Sequence, residues 1–278
     1  MPRPIEPAAP IIKEGAAFSE TYGDTYWSLD GGLDETRHVF LSGNELPARW
    51  LARERFTLLE AGFGSGLNFL CAWKLFRETA PAGARLHYLS VDKHPFRHDD
   101  LQRLYGHWPE LAPLGAALLE RYPPLIPGFH RLHLDGGRVA LTLLWGEAAE
   151  MLAQVDARVD AFFLDGFAPA RNPDMWDEAL FAQLARLAAP GATFATYSAA
   201  GKVSRGMTAA GFAVDKKPGF GRKRSNSSHT RWTISMLAFS LPPPMLYVSE
   251  LVPCSIRKST AAQWSSTNSQ SRTLPPSP

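Results

Sequence analysis

The sequence predicts an α/β protein: a mostly parallel β-sheet with helices on both faces. Three observations lead there. From about residue 56, short apolar runs alternate with longer stretches whose apolar residues recur at helical spacing. A glycine-rich turn joins the first such run to the first such helix. Acidic residues then recur at the ends of successive apolar runs, Glu60, Asp92, Glu147 and Asp165. Ligands of parallel sheets sit beyond the carboxyl ends of the strands, so four acids in those places form a row along one crevice.

The elements follow in order. "RFTLLE" reads as strand one and "GLNFLCAWKLFRETA" as the helix behind it. "RLHYLSVD" is strand two, followed by a helical stretch from about Arg97 to Tyr105. "RVALTLLWG" is strand three, with the short helix "EAAEMLAQV". "VDAFFLD" is strand four, and "PDMWDEALFAQLARLA" a helix begun by Asn172-Pro173 and stopped by Pro190-Gly191. "ATFATYS" is strand five, "GKVSRGMTAA" a helix and "FAVDKK" strand six. The first fifty residues fall outside this repeat. Their aromatic, glycine-containing stretch suggests a β-hairpin and a short helix covering the sheet edge or the crevice. The chain thus divides into an N-terminal extension or lid (1–55), a core (56–224) and an atypical tail (225–278).

Composition excludes several classes. Among 278 residues, 45% are hydrophobic and 20% charged, as in soluble globular proteins. No apolar run is long enough to span a bilayer, and the Pro-rich start does not read as a signal peptide. Cys71 and Cys254 suit neither a disulfide framework nor a four-ligand zinc site, which points to the cytoplasm. The spacing of His94 and His98 (i, i+4) lacks further ligands nearby, so no metal is expected. The first 224 residues carry 25 basic and 26 acidic groups, so any RNA contact must be a local patch. Lys202, Arg205, Lys216, Lys217, Arg222, Lys223 and Arg224 form one, with Asp215 alone against them; a solvated edge is the other reading. In the tail, 18 of 54 residues are Ser or Thr, and only "RWTISMLAFSL" has strand character.

"LLEAGFGSGLNF" sets Gly62, Gly64 and Gly66 two residues after Glu60. The dinucleotide-binding fingerprint fails here, because Leu67 stands where its third glycine belongs. A carboxylate this close repels a pyrophosphate but suits a ligand bearing an ammonium or sulfonium beside its own carboxylate. S-adenosylmethionine (SAM) has that chemistry. Asp92 is placed to accept hydrogen bonds from ribose hydroxyls, and Glu147 from an adenine amino group. Asn68 is either a first-turn helix residue or a group near the ligand.

"EAGFGSGLNFLCAW", "GHWPELAP", "PGFHRLHLDGGRVALTLLWGE", "VDAFFLDGFAPARNPDMW" and "KKPGFGRKR", with the N-terminal "YWSLDGGLDETRHVFLSGNELPARW", resemble the methyltransferase half of the MnmC family. These are bacterial bifunctional enzymes that mature 5-methylaminomethyl-2-thiouridine at the tRNA wobble position. The resemblance runs from about Asp24 to Arg224. It implies a Rossmann-like class I methyltransferase with a seven-stranded sheet, using SAM to methylate the primary amine of 5-aminomethyl-2-thiouridine in the anticodon loop. It also implies that Glu60, Gly62, Gly64, Gly66 and Asn68 hold the methionine end of SAM, with Asp92 on the ribose and Glu147 on the adenine side. Asp165, Gly166, Phe167 and Pro169 would face the amine. Phe167 would stack on the splayed uracil, or else plug the core. Tyr26 and Trp27 close the pocket or pack beneath it; Met175 and Trp176 read as packing.

An ordinary aspartate is too weak a base for an alkylammonium, so Asp165 is expected first as an orienting acceptor and second as a base. None of the oxidoreductase half's glycine fingerprint is present, so no FAD is expected and a separate oxidoreductase or other supplier would provide the precursor. The break at Ser225 reads as a shifted frame or altered gene end; a genuine tail would have to supply the seventh strand from "RWTISMLAFSL". The rival functions are an aminopropyltransferase and an inactive truncated methyltransferase.

Overall fold

The computed structural model describes residues 4–13, 16–27, 32–198, 200–218, 232–235 and 255–256. Its centre is a six-stranded sheet in the order β10-β9-β4-β5-β7-β6. Strands β4 (Arg55–Ala61), β5 (Arg85–Asp92), β7 (Val139–Trp145), β9 (Val159–Leu164) and β10 (Ala188–Ala195) run parallel. Their apolar runs are continuous toward the carboxyl ends, where helices cover both faces of the sheet. One cluster packs Phe56, Leu58, Tyr88 and Phe163 against α2 (Leu67–Thr79), α3 (His98–Tyr105) and α4 (Ala112–Leu119). The other packs Leu59, Leu89 and Phe162 against α5 (Ala148–Ala153), α6 (Glu178–Leu187) and α7 (Gly201–Ala209).

Strand β4 lies between β5 and β9. The chain moves outward from β4 through β5 and β7, then returns to lay β9 on β4's other side and β10 beyond it. The crevice between loops leaving in opposite directions therefore opens at the carboxyl ends of β4 and β9, the standard ligand position in such sheets. Glu60 is the penultimate residue of β4, and Asp165 directly follows β9.

Three sequence expectations change. The edge strand β6 (Gly128–Leu134), antiparallel to β7, is not among the expected strands. Its exposed positions carry Arg131 and His133, which hide the apolar pattern; the "DGG" turn at Asp135–Gly137 is the hairpin signal that reveals it. The central sheet has six strands, not seven. Asp215–Pro218 (β11) pairs instead with Trp232–Ser235 (β12) in a separate antiparallel ladder, so "FAVDKK" contributes no strand to the main sheet. The rest of "RWTISMLAFSL" lies outside the described residues.

The helix expected from Asn172-Pro173 begins at Glu178. Asp177 caps it, its side chain accepting from the Leu180 amide at 2.8 Å. Pro173 stays in the loop, where the Trp176 indole donates to the Phe167 carbonyl at 2.8 Å.

The N-terminal segment forms an antiparallel meander, β1 (Pro10–Lys13), β2 (Ala16–Ser19) and β3 (Asp24–Thr25). A helical turn α1 (Gly32–Glu35) continues into a π-helical turn Thr36–Leu41. Buried Asn44 and half-buried Arg49 fasten this region to the sheet. Asn44 donates to the Phe162 carbonyl and accepts from Thr193; Arg49 donates to Thr193 and the carbonyls of Asp160 and Gly191. The short β8 (Val155–Asp156) pairs with β13 (Ser255–Ile256). No helix among the described residues is long and apolar enough to cross a membrane.

Candidate active site

A cavity of about 560 Å³ opens at the carboxyl ends of β4 and β9, within the size range of small-molecule sites. The glycine turn shapes its floor. Gly62, Gly64 and Gly66 all have positive φ (+95°, +51° and +73°), where other residues are strained. At Gly62 a side chain would collide with the Asp165 carbonyl, so its absence lets β4 and β9 close together. The Gly62 amide bonds the Val91 carbonyl at 2.9 Å and the Asp165 amide bonds the Ala61 carbonyl at 3.0 Å.

Beneath this floor is a buried polar chain. Thr36, at the start of the π-helical turn, donates from Oγ1 to Asn68 Oδ1 at 2.8 Å. That fixes the amide, so Asn68 Nδ2 faces two carboxylates, Glu60 Oε1 at 2.9 Å and Asp165 Oδ2 at 2.5 Å. Ser90 Oγ donates to the other Glu60 oxygen at 2.7 Å. Glu60 is wholly buried, and burial holds its carboxyl well above the ordinary range, with Asp165's charge adding to the rise. Burial likewise pushes Asp165 up to about 7, against the Asn68 hydrogen bond and with Glu35 adding repulsion. Two acids share one amide donor, and Asp165 is the one that lines the cavity.

Asp92 accepts from the amides of Gly64 and His94, at 2.9 and 2.8 Å, which locks its carboxylate toward the turn; burial still raises its pKa. Glu147 lines the far side and pairs with Lys93 at 2.6 Å. Tyr26, Gly166 and Phe167 also line the cavity. Glu60, Gly66 and Pro169 do not: Glu60 lies under it, the Gly66 Cα faces the Phe63 ring, and Pro169 is buried.

Several lining residues have no counterpart in the sequence reading. Tyr22, at the tip of the β2–β3 turn, stacks on Phe167 with centroids 4.5 Å apart. Asp24 accepts from the Ala168 amide at 3.3 Å, and Tyr197 donates to the Gly166 carbonyl at 2.5 Å. Met175, expected as packing, lines the cavity beside Asp174 and Asp177. These residues come from distant segments, and no local pattern announces them. Lys202, in the basic stretch, donates to the Pro173 carbonyl at 2.9 Å and so adjoins this rim. Arg205 is on the same helix, and Lys216 and Lys217 are in β11; Arg222, Lys223 and Arg224 lie outside the described residues.

The lining tests which ligand fits. Eight carboxylates (Asp24, Glu35, Asp92, Glu147, Glu150, Asp165, Asp174 and Asp177) face the cavity, against Lys93 and the His94 imidazole. Such a surface repels a polyphosphate and suits a ligand with cationic groups, as the sulfonium and ammonium of SAM are. Among the described residues, no three His, Cys, Asp or Glu side chains group as metal ligands.

Residues 109–230 match the family model described as S-adenosyl-L-methionine-dependent methyltransferase. Over 222 residues the chain is 56% identical to the tRNA 5-methylaminomethyl-2-thiouridine biosynthesis bifunctional protein MnmC of Azoarcus sp., covering 80% of this chain and 35% of that protein. Over its matched residues the chain is similar to one part of these bifunctional MnmC proteins. The MnmC of Pseudomonas aeruginosa is similar to the same extent, 56% identical over 221 residues, 78% of this chain and 34% of that one. The chain thus spans about a third of the length of the curated MnmC relatives it matches. MNMC2 from Aquifex aeolicus is similar in fold, with a TM-score of 0.65 at 24% identity, over 87% of this chain and 72% of that structure. The Rossmann-like methyltransferase fold expected from the sequence is the one observed.

Proposed function

We propose that this domain transfers a methyl group from SAM to the primary amine of 5-aminomethyl-2-thiouridine at the tRNA wobble position. One observation carries the reading: an aspartate held near pH 7 faces a cavity whose lining is acidic and aromatic. An acidic cavity attracts an alkylammonium, and a base near 7 suits its deprotonation. An alkylammonium loses its proton near pH 10, like lysine. Transfer to an aspartate at its ordinary value would be uphill by about six pKa units, roughly 8 kcal/mol; to one near 7 it is about three units, roughly 4 kcal/mol. The base role, second on sequence grounds, therefore moves to first.

SAM, when bound, supplies the electrophilic methyl group. The chain's own residues hold and orient. Gly62, Gly64 and Asn68 border the methionine end, with Gly66 and Glu60 supporting them from below. Asp92 accepts from the ribose, and Glu147 faces the adenine side. Asp165 takes the amine's proton and aims its lone pair, Gly166 and Pro169 set the Asp165 loop, and Phe167 and Tyr26 flank the base. Tyr22 holds the Phe167 face, and the incoming uracil takes Tyr22's place, as stacking on aromatic residues serves single-stranded RNA recognition. Residues 1–55 then act as a lid and 56–224 as the catalytic core. Lys202 and Arg205 start a basic rim for the anticodon-loop phosphates, and Lys216, Lys217, Arg222, Lys223 and Arg224 follow them in sequence. The reaction is tested by incubating the protein with SAM and tRNA bearing the aminomethyl nucleoside: that nucleoside gains one methyl, and a tRNA whose amine is acetylated gains none.

Thr36→Val is expected to lower kcat roughly tenfold, the worth of one buried hydrogen bond of about 1.4 kcal/mol. Without Thr36, Asn68 is free to turn its oxygen toward Asp165 and loses the bond that lowers Asp165's pKa. The rising limb of the kcat/KM pH profile then moves to higher pH, and Thr36→Ser restores both. A pH profile unchanged in Thr36→Val contradicts this role.

A further inference from the structure

Three arginines and two histidines share one open face of the central sheet. Arg55 is in register with Arg85 and Thr57 with His87; His87 continues to Ala140 and Ala140 to His133, while Arg131 pairs with Thr142. Partners in register, and residues two apart, project to the same side of a sheet. Arg55, Arg85, His87, Arg131 and His133 therefore form one patch from the amino-terminal halves of β4 and β5, across β7, to the middle and carboxyl-terminal half of the antiparallel β6. Four of the five are exposed and His87 is half-buried.

The patch exists because its cover is short. Helix α5 has six residues, about 9 Å, against about 26 Å for the eight residues of β5. Its Met151 and Leu152 belong to the cluster containing Leu89, Val91 and Leu144, nearer the carboxyl ends. Below them an uncovered sheet face would ordinarily carry neutral polar residues, but here it carries Arg and His. Glu54 lines a groove with Arg55 and Arg85. Arg55, Arg85 and Arg131 form no ion pair among the described residues, and Arg131 donates to Thr142 at 3.1 Å. The charged groups acting on His87 are all cationic. Asp160, the acid in the same row, accepts from the Thr57 amide at 2.8 Å and answers to Arg49 and Arg53.

We propose that this face binds the sugar–phosphate backbone of the RNA substrate, as a docking surface separate from the pocket. The proposal rests on the reading that the substrate is RNA. Along β5, Arg85 is seven residues from Asp92 at the pocket, about 23 Å. The face would thus grip a stem remote from the modified base, positioning it without reading sequence.

The test is tRNA binding by fluorescence anisotropy across a salt series, using the full chain, the double variant Arg85→Glu/Arg131→Glu and its neutral counterpart Arg85→Gln/Arg131→Gln. Both variants are expected to keep the wild-type thermal transition. The Glu variant should bind tRNA at least tenfold more weakly, and the Gln variant should lose close to two from the slope of log K against log salt, about one per phosphate contact. Unchanged affinity and slope in both, or no tRNA binding by the wild type, overturns the proposal; the first would leave the face to a protein partner. The reaction assay separates the two readings. Weaker tRNA binding by the variants with no methyl transfer by any form keeps the docking face and removes the assigned reaction. Methyl transfer with unaltered tRNA binding does the reverse.

Discussion

Asp165→Asn is expected to lower the rate constant for methyl transfer by about 10²–10³, within the range for loss of a positioned general base. SAM affinity should stay within a few-fold, because Asn68 retains an oxygen to bond at position 165. Single-turnover kinetics and calorimetric titration separate the two effects; a large loss of SAM affinity with intact turnover would contradict the assigned role. The same variant should be more stable than the wild type at pH 8. In the unfolded chain an aspartate titrates at about 3.9, whereas in the fold Asp165 is pushed up to about 7. Between these values the folded state holds a proton that the unfolded state has released, so wild-type stability falls as pH rises through that window and levels off above it. Asparagine removes this penalty. The gain is absent below about pH 4 and complete above about pH 7. Three pKa units set an upper bound of about 4 kcal/mol, and partial solvent screening brings the expected gain to about 1–2 kcal/mol. Thermal melts across pH would show it; a variant less stable than wild type at pH 8 would mean the carboxylate is not under this strain.

Gly62→Ala should be the most damaging small change in the core of the site. At φ +95° an alanine is strained, and its methyl group would collide with the Asp165 carbonyl, a backbone atom that no rotamer change can move aside. Strain and overpacking together are expected to cost about 3–5 kcal/mol, lowering Tm by roughly 10 °C for a domain of this size. The parting of β4 from β9 should also displace Asp165 and weaken SAM binding. Gly83→Ala is the control: nothing lies within 4 Å of the added methyl group. It should shift Tm by no more than a degree or two, and equal effects at the two glycines would contradict the account of the turn.

These two residues also mark where sequence reasoning succeeds. Gly62 and Asp165 were legible because buried parallel strands give continuous apolar runs, and the residues at their ends stand out. The strand-end acids were legible as a row, but not their separate duties. Glu60 is beneath the cavity and Asp165 within it, a difference set by which atoms Asn68 and Ser90 offer them. Thr36, Tyr22 and Asp24 reach the site from more than a hundred residues before Asp165, and only tertiary packing brings them together. Pro173 satisfied the local rule for a helix start, yet the helix begins at Glu178, capped by the Asp177 side chain on the Leu180 amide. Strand β6 was obscured for a related reason: its outward residues belong to the cationic face and break the apolar pattern by which strands are read.

The central claim is that Asp165 presents a wobble-uridine amine for methylation. Its most direct test is tandem mass spectrometry of the nucleoside after incubating tRNA bearing 5-aminomethyl-2-thiouridine with the protein and carbon-13 methyl SAM. The predicted result is one labelled methyl on the exocyclic amine nitrogen, made by the wild type and at least a hundredfold more slowly by Asp165→Asn. Label on a ring or ribose atom, or transfer at the same rate by both proteins, would contradict it.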